Sequence, residues 1–216
     1  MRVDVWSDIV CPWCYIGKRR LEQAIARFSE PVEVVYHSFE LDPSAPAVAT
    51  ESTQQHLAST YGMTVEQAVA AQKRVSDIAA TEGLDYRLAE TTWGNSFDAH
   101  RLLQLARTQG VQEQAKERLM RAYFTEAEAI GDPSVLRRLS AEAGLDAGEA
   151  ASVLEGDAYA DAVRDDERRA AELGIHGVPF FVIDGRYAVE GAQPADLLLS
   201  ALQRAQADRL AAGDAA

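Results

Sequence analysis

Two cysteines separated by two residues, Cys11-Pro12-Trp13-Cys14, constrain this chain more than anything else in it, because it has no others. A pair this close closes almost no loop, so bridging it adds little stability through chain entropy. The disulfide framework of a small secreted domain uses several cysteines at long spacings. A zinc site wants four ligands, usually a second Cys-x-x-Cys or a histidine pair. The four histidines, His37, His56, His100 and His176, are scattered, and no two stand at ligand spacing. A reading as a reversible redox pair therefore starts ahead of both of these. It needs no metal, and no cofactor beyond the Cys11–Cys14 disulfide itself.

The surroundings give the two thiols different expected roles. Residues 2–6 alternate apolar and polar, as a short strand does. After the motif, Leu21, Ala24, Ile25 and Phe28 recur at helical spacing, and Pro12 suits the first turn of a helix. Cys11 therefore stands just ahead of a helix N-terminus, whose unpaired N–H groups and dipole are expected to lower its pKa. Cys14 lies one turn in and is expected to be deeper. Cys11 reads as the nucleophile and Cys14 as the resolving thiol. Pro12 and Trp13 tune the pair. Neither brings a charge, so a less oxidising couple is expected than where a histidine sits between the cysteines. Asp4, Asp8 and Glu40 are candidates for a buried proton carrier, though each reads first as a turn or surface carboxylate.

The rest of the chain divides by texture. Residues 32–37 form a second strand signal, and Pro43-Ser44-Ala45-Pro46 a turn or linker. Helical signals then follow one another. Thr64 and Gln67 have capping-box spacing, Leu119, Met120, Tyr123 and Phe124 form an apolar stripe, and Asp132-Pro133 reads as a helix start. Residues 157–173 are charged and amphipathic, with Gly174 as a stop. Strand texture returns at Phe180–Ile183, with Asp184-Gly185 as a hairpin turn. Pro194 opens a last helix, and the tail after about residue 207 is expected to fray. This order predicts an α/β chain: a thioredoxin-like domain, 1–44 and 159–216, with a mixed sheet and helices on both faces, interrupted by a large all-helical domain over 45–158.

Several motifs together resemble a known family. They are Ser7-Asp8-Ile9-Val10-Cys11-Pro12-Trp13-Cys14-Tyr15-Ile16-Gly17, Asn95-Ser96-Phe97-Asp98-Ala99-His100-Arg101-Leu102, Ala122-Tyr123-Phe124, Gly177-Val178-Pro179-Phe180 and Gly191-Ala192-Gln193. The chain is similar to DsbA-like thioredoxin-fold oxidoreductases, and within them to the FrnE-type subgroup. The resemblance implies that Pro179 is cis, that its loop faces the cysteines, and that the Val178 backbone pairs with a bound substrate. It also makes Asn95 and His100 suspects for lining a cleft. The plainer alternative is that Asn95 caps its helix and His100 packs at an interface. Trp93 reads equally as core or as cleft wall. Relatives with extra C-terminal cysteines have a relay that this chain lacks.

The leading expectation is a thiol–disulfide oxidoreductase or isomerase acting on protein or small thiol and disulfide substrates, glutathione among them. One alternative is a glutathione-dependent small-molecule isomerase or transferase related to 2-hydroxychromene-2-carboxylate isomerase, where a serine typically replaces the first cysteine. Another is a non-catalytic, chaperone-like binding module. A net charge of −13 argues against nucleic acid and anionic membrane as partners. No leader or spanning segment is visible, so a cytoplasmic protein is expected. The sequence sets no oligomeric state.

Overall fold

A computed structural model describes residues 1–50 and 52–213. Strand β1 (Arg2–Ser7) leads through the cysteine motif into α1 (Pro12–Ala26), and β2 (Glu33–Ser38) returns parallel to β1, with Val3 opposite Val34 and Trp6 opposite His37. Seven helices follow: α2 (Thr53–Tyr61), α3 (Val65–Thr81), α4 (Phe97–Thr108), α5 (Gln112–Phe124), α6 (Pro133–Glu142), α7 (Ala147–Glu155) and α8 (Ala160–Glu172). The chain then comes back to the sheet as β3 (Phe180–Ile183) and β4 (Tyr187–Glu190), and closes with α9 (Ala195–Gly213). The sheet order is β2-β1-β3-β4, with β3 antiparallel to both β1 and β4. The mixed sheet and helical insertion are those expected from the sequence.

Local chemistry explains most element boundaries. Ser52 and Gln55 form a capping box on α2, and Thr64 and Gln67 form the expected one on α3. Asp132 caps α6 ahead of Pro133. Asp184 and Gly185 take positive φ (49° and 66°) at the centre of the turn that the Arg186 N–H closes on the Ile183 carbonyl at 3.0 Å. The C-terminal helix departs from expectation. It does not end near 207 but runs to Gly213. Gln206 and Arg209 hold Glu30, and Tyr187 donates to Asp208, so side-chain partners tie down a stretch that composition alone leaves loose.

The central strand β1 faces two interiors. Val3 and Val5 meet Leu21 and Ala24 of α1 and Leu198 and Leu202 of α9 in one apolar core. On the other face Trp6 packs with Ala170 of α8 and stacks on His37, ring centres 4.5 Å apart. His37 stands between two carboxylates, Asp4 Oδ1 at 2.7 Å and Asp166 Oδ1 at 2.6 Å, which pins α8 to the sheet. A third cluster joins the motif to the helices: Cys11, Cys14, Tyr15 and Ile16 pack with Leu102 of α4 and Ala115, Leu119, Met120 and Phe124 of α5. Gly17 has a use inside α1. A Cβ there would lie 2.8 Å from Pro179 Cγ and 3.2 Å from Phe181 Cζ, so only glycine lets the helix approach the β3 entrance this closely.

Candidate active site

Cys11 is the N-cap of α1, in extended conformation, and the Cys14 N–H donates to its carbonyl at 3.0 Å. Pro12 occupies the first helical position, where its missing N–H costs nothing. Tyr86, from the segment after α3, donates its hydroxyl to the Pro12 carbonyl at 2.7 Å and stacks on Phe124, ring centres 4.6 Å apart. The turn is thus held from the helical insertion, by a residue that no local sequence signal marks. From the far end of the chain the cis Val178–Pro179 peptide arrives beside the motif. The Cys11 thiol donates to the Val178 carbonyl, Sγ to O 3.5 Å.

Both thiols are free and buried, Cys11 3 % exposed and Cys14 2 %. Burial therefore does not separate them as expected, but access does. Cys11 lines a cavity of about 770 Å³, and Cys14 does not. The electrostatics also differ from expectation. The hydrogen bond Cys11 shares with Cys14 holds its thiol well above the ordinary range, with burial and the nearby Asp8 charge acting the same way. The Cys14 backbone N–H pulls downward, as a helix N-terminus should, but does not prevail.

The cavity lies between the motif and the helical insertion. Pro12, Val178 and Gly177 border it beside Cys11, and Leu57, Val75, Leu88 and Phe124 give it apolar walls. Trp13 is 39 % exposed on its rim. Trp93 is a wall residue, its ring centre 3.5 Å from that of His56. The acidic groups on the lining are Asp8 and Asp42, and no described lining residue is a lysine or arginine.

The three carboxylates that read as turn or surface groups are all buried. Asp8 accepts from the Leu41 N–H at 2.8 Å and has His100 Nε2 3.2 Å from its Oδ1. Burial pushes its pKa up, but His100, the Leu41 N–H and Ser96 outweigh it and hold it below the usual carboxylate range. Asp4 is brought to about 2: burial opposes this, but His37 and Arg2 prevail. Glu40 goes the other way, raised by burial despite Arg164, with Glu167 adding to the rise.

His100 and Asn95 sit behind the cavity and not on its wall. His100 is buried against Asp8. Asn95 accepts the Phe97 N–H at 2.8 Å at the head of α4 and reaches Glu40 at 3.3 Å. Both match the capping and packing alternative. Sequence reasoning missed Lys116. It is wholly buried on α5, its Nζ donating to the Ser7 carbonyl at 3.3 Å. A signal existed: Lys116 stands in helical phase with Leu119, Met120, Tyr123 and Phe124, so the apolar stripe carries it inward.

Among the described residues no group of three or more acidic, histidine or cysteine side chains is placed to hold a metal ion, and no helix is long and apolar enough to cross a membrane.

Comparison with known proteins agrees with this geometry. The family described as "DSBA-like thioredoxin domain" matches residues 2–203. The crystal structure of a probable DsbA oxidoreductase from Streptomyces coelicolor, SCO1869, superposes with a TM-score of 0.91 at 46 % identity, covering 96 % of this chain and 90 % of that one. The uncharacterized protein YwbO of Bacillus subtilis is 28 % identical over 210 residues, covering 95 % of this chain and 98 % of YwbO. A structure of 2-hydroxychromene-2-carboxylate isomerase shares the fold, with a TM-score of 0.68 at 17 % identity over 97 % of this chain and 98 % of its own.

Proposed function

This chain belongs to the DSBA-like thioredoxin domain family, and from that premise we propose that its Cys11–Cys14 pair exchanges electrons with the disulfides and dithiols of other molecules. The observation that carries the reading is the placing of the Cys11 sulfur, on the cavity wall and 3.5 Å from the carbonyl before the cis proline, with Cys14 behind it. Cys11 as thiolate attacks one sulfur of a partner disulfide. A mixed disulfide forms and half of the partner leaves as a thiolate. Cys14 then attacks the Cys11 sulfur, the internal disulfide closes, and the second half leaves. The partner gains two electrons and the pair loses two. Run backwards, the same steps oxidise a dithiol. Val178 offers its backbone to the bound chain, Pro179 shapes that loop, and Pro12 and Trp13 set the poise.

The motif set running from Ser7 to Gln193 supports placing the chain in the FrnE-type subgroup. The cavity supports small apolar disulfides as substrates beside protein ones, since its volume falls within the usual range for small-ligand sites. Its acidic lining disfavours glutathione, which brings carboxylates where no lysine or arginine waits. The neutral bis(2-hydroxyethyl) disulfide should therefore react about tenfold faster than glutathione disulfide at low salt, and the gap should shrink as salt rises. Equal rates would remove charge from the selection.

The decisive experiment is insulin-disulfide reduction with single variants. Cys11→Ser is expected to lose activity entirely. Cys14→Ser is expected to trap the partner as a stable mixed disulfide on Cys11. Full activity in Cys11→Ser would overturn the reading.

A further inference from the structure

The cysteine turn is fastened by a strap from the helical insertion. Residues 82–88 follow α3 and touch α1 at two points. At one, Glu82 accepts from Arg20 Nε at 2.6 Å and from Gln23 at 2.9 Å. At the other, the Tyr86 hydroxyl donates to the Pro12 carbonyl at 2.7 Å. Leu84, Tyr86 and Leu88 are buried in one cluster with Cys11 and Cys14. The Arg87 N–H donates to the Phe124 carbonyl at 2.7 Å, which fixes the strap to the end of α5. The Tyr86 ring lies against Phe124 and Tyr15, ring centres 4.6 Å and 6.2 Å away. Both the ring and the hydroxyl are therefore held in place. Burial, and then the neighbouring Cys11, push the Tyr86 pKa far above the ordinary phenol range, so its proton is always there to donate.

What that hydrogen bond controls follows from the peptide it grips. A trans peptide is planar, and its C=O and N–H point opposite ways. The Pro12 carbonyl and the Trp13 N–H belong to one such plane. Cys11 is the N-cap of α1, so its sulfur stands on the side to which the first-turn N–H groups point. Pro12 has no N–H to offer. The Cys14 N–H is shared with the Cys11 carbonyl, 3.0 Å away. The Trp13 N–H is left, with no partner inside the helix. In the dithiol the Cys11 sulfur donates to the Val178 carbonyl. Once the proton has gone to solvent, that carbonyl oxygen repels the sulfur, and the thiolate needs a donor. We propose that Tyr86 is a positioning residue for Cys11: by gripping the Pro12 carbonyl it keeps the Trp13 N–H aimed at the place the Cys11 thiolate takes up before it attacks. This rests on the thiol–disulfide reading above. Donation to the carbonyl also polarises the peptide and strengthens its N–H as a donor. The titratable groups around Cys11 are Cys14 on α1, Asp8 between β1 and α1, Tyr86 of the strap and Lys116 on α5. Cys14 and Asp8 oppose the thiolate, and a well-aimed amide offsets them.

The test uses Tyr86→Phe, which keeps the ring stack and removes the hydroxyl, in the reduced full chain. Dithiodipyridine, a neutral disulfide, liberates one absorbing thione at each step. The first equivalent reports attack by the Cys11 thiolate. The second reports attack by Cys14 on the Cys11 sulfur, a step in which no Cys11 thiolate forms. In Tyr86→Phe the first should slow about threefold at neutral pH, and the second should keep its wild-type rate. The first-phase pH profile should move to the alkaline side, so the defect shrinks as pH rises. A turn that had merely loosened would slow both phases, because Cys14 must reach Cys11 across it, and would do so at every pH. Equal slowing of both phases, slowing that is the same at every pH, or a first phase with wild-type rate overturns the role of Tyr86 and leaves the redox reading standing. Release of both equivalents by Cys11→Ser overturns the redox reading, and the Tyr86 proposal with it.

Discussion

Helices α1 and α5 enclose two buried lysines in contrasting surroundings. Lys18 reaches three glutamates: Glu22, Glu113 at 2.6 Å and Glu117 at 2.8 Å. Lys116, less than one turn along α5 from Glu113, meets a carbonyl and an aromatic ring. Burial works against the charge of both. At Lys18 the glutamates overcome it and the pKa rises, while at Lys116 nothing does and it falls to about 8. Glu117, answering from the paired side, is held at about 2 by Arg19, Lys18 and Tyr15 in spite of its own burial. Depth alone therefore does not make a lysine chemically available. The carboxylates around Lys18 turn it into a structural cation, whereas Lys116, hydrogen-bonded to a carbonyl and to no carboxylate, is held below the ordinary lysine range by its burial.

The contrast breaks most directly in a pair of methionine variants. Lys18→Met should lower stability by about 2 kcal/mol, since it removes charge-assisted hydrogen bonds from several partners at once. Lys116→Met should cost nothing or stabilise, because an unpaired ammonium leaves the interior. Urea midpoints measure both, and equal losses would erase the distinction. A pH series sharpens it next. His37 is another buried basic side chain, lifted above its ordinary 6.5 by Asp166 and Asp4 against the effect of burial. Its stabilisation is present in full below 6.5 and is lost as pH rises through the raised value. Asp4 and Glu117 give the opposite limb. Their contribution is present above the unfolded values of 3.8 and 4.5 and is lost as pH falls toward about 2. His37→Gln should flatten the alkaline limb and, because His37 also holds Asp4 and Asp166 down, weaken the acid limb; an unchanged alkaline limb would put its origin elsewhere. The smallest effect belongs to Tyr15→Phe, which removes one hydrogen bond to Glu117, 2.6 Å long, and should cost about 1 kcal/mol in the same urea assay while leaving thiol release from Cys11 unchanged.

Features written in neighbouring residues were legible from the sequence. The cysteine pair before a helix, the Thr64–Gln67 box, the Asp132-Pro133 start and the Asp184-Gly185 turn each depend on chemistry within a few positions. What escaped depends on distance along the chain. Tyr86 finds Pro12 across 74 residues, and Asp166 finds His37 across 129. The burial of Asp4, Asp8 and Glu40 also follows from partners elsewhere, His37, His100 and Arg164, which local polarity cannot announce. The direction of the Cys11 shift failed for a related reason. The helix N-terminus was visible, but the Cys14 hydrogen bond and the enclosure that outweigh it are tertiary. Lys116 is the intermediate case, readable as a lysine in phase with an apolar stripe, though not as a neighbour of thiols.

The pairing of β1 with β3 has a consequence for how the protein is made. The ribosome delivers Cys11 first and Val178, its partner in the finished site, 167 residues later. Over that interval a nascent dithiol has no Val178 carbonyl in place. The chain therefore completes its own chemistry only when its last strands dock, and until then its cysteines are ordinary thiols.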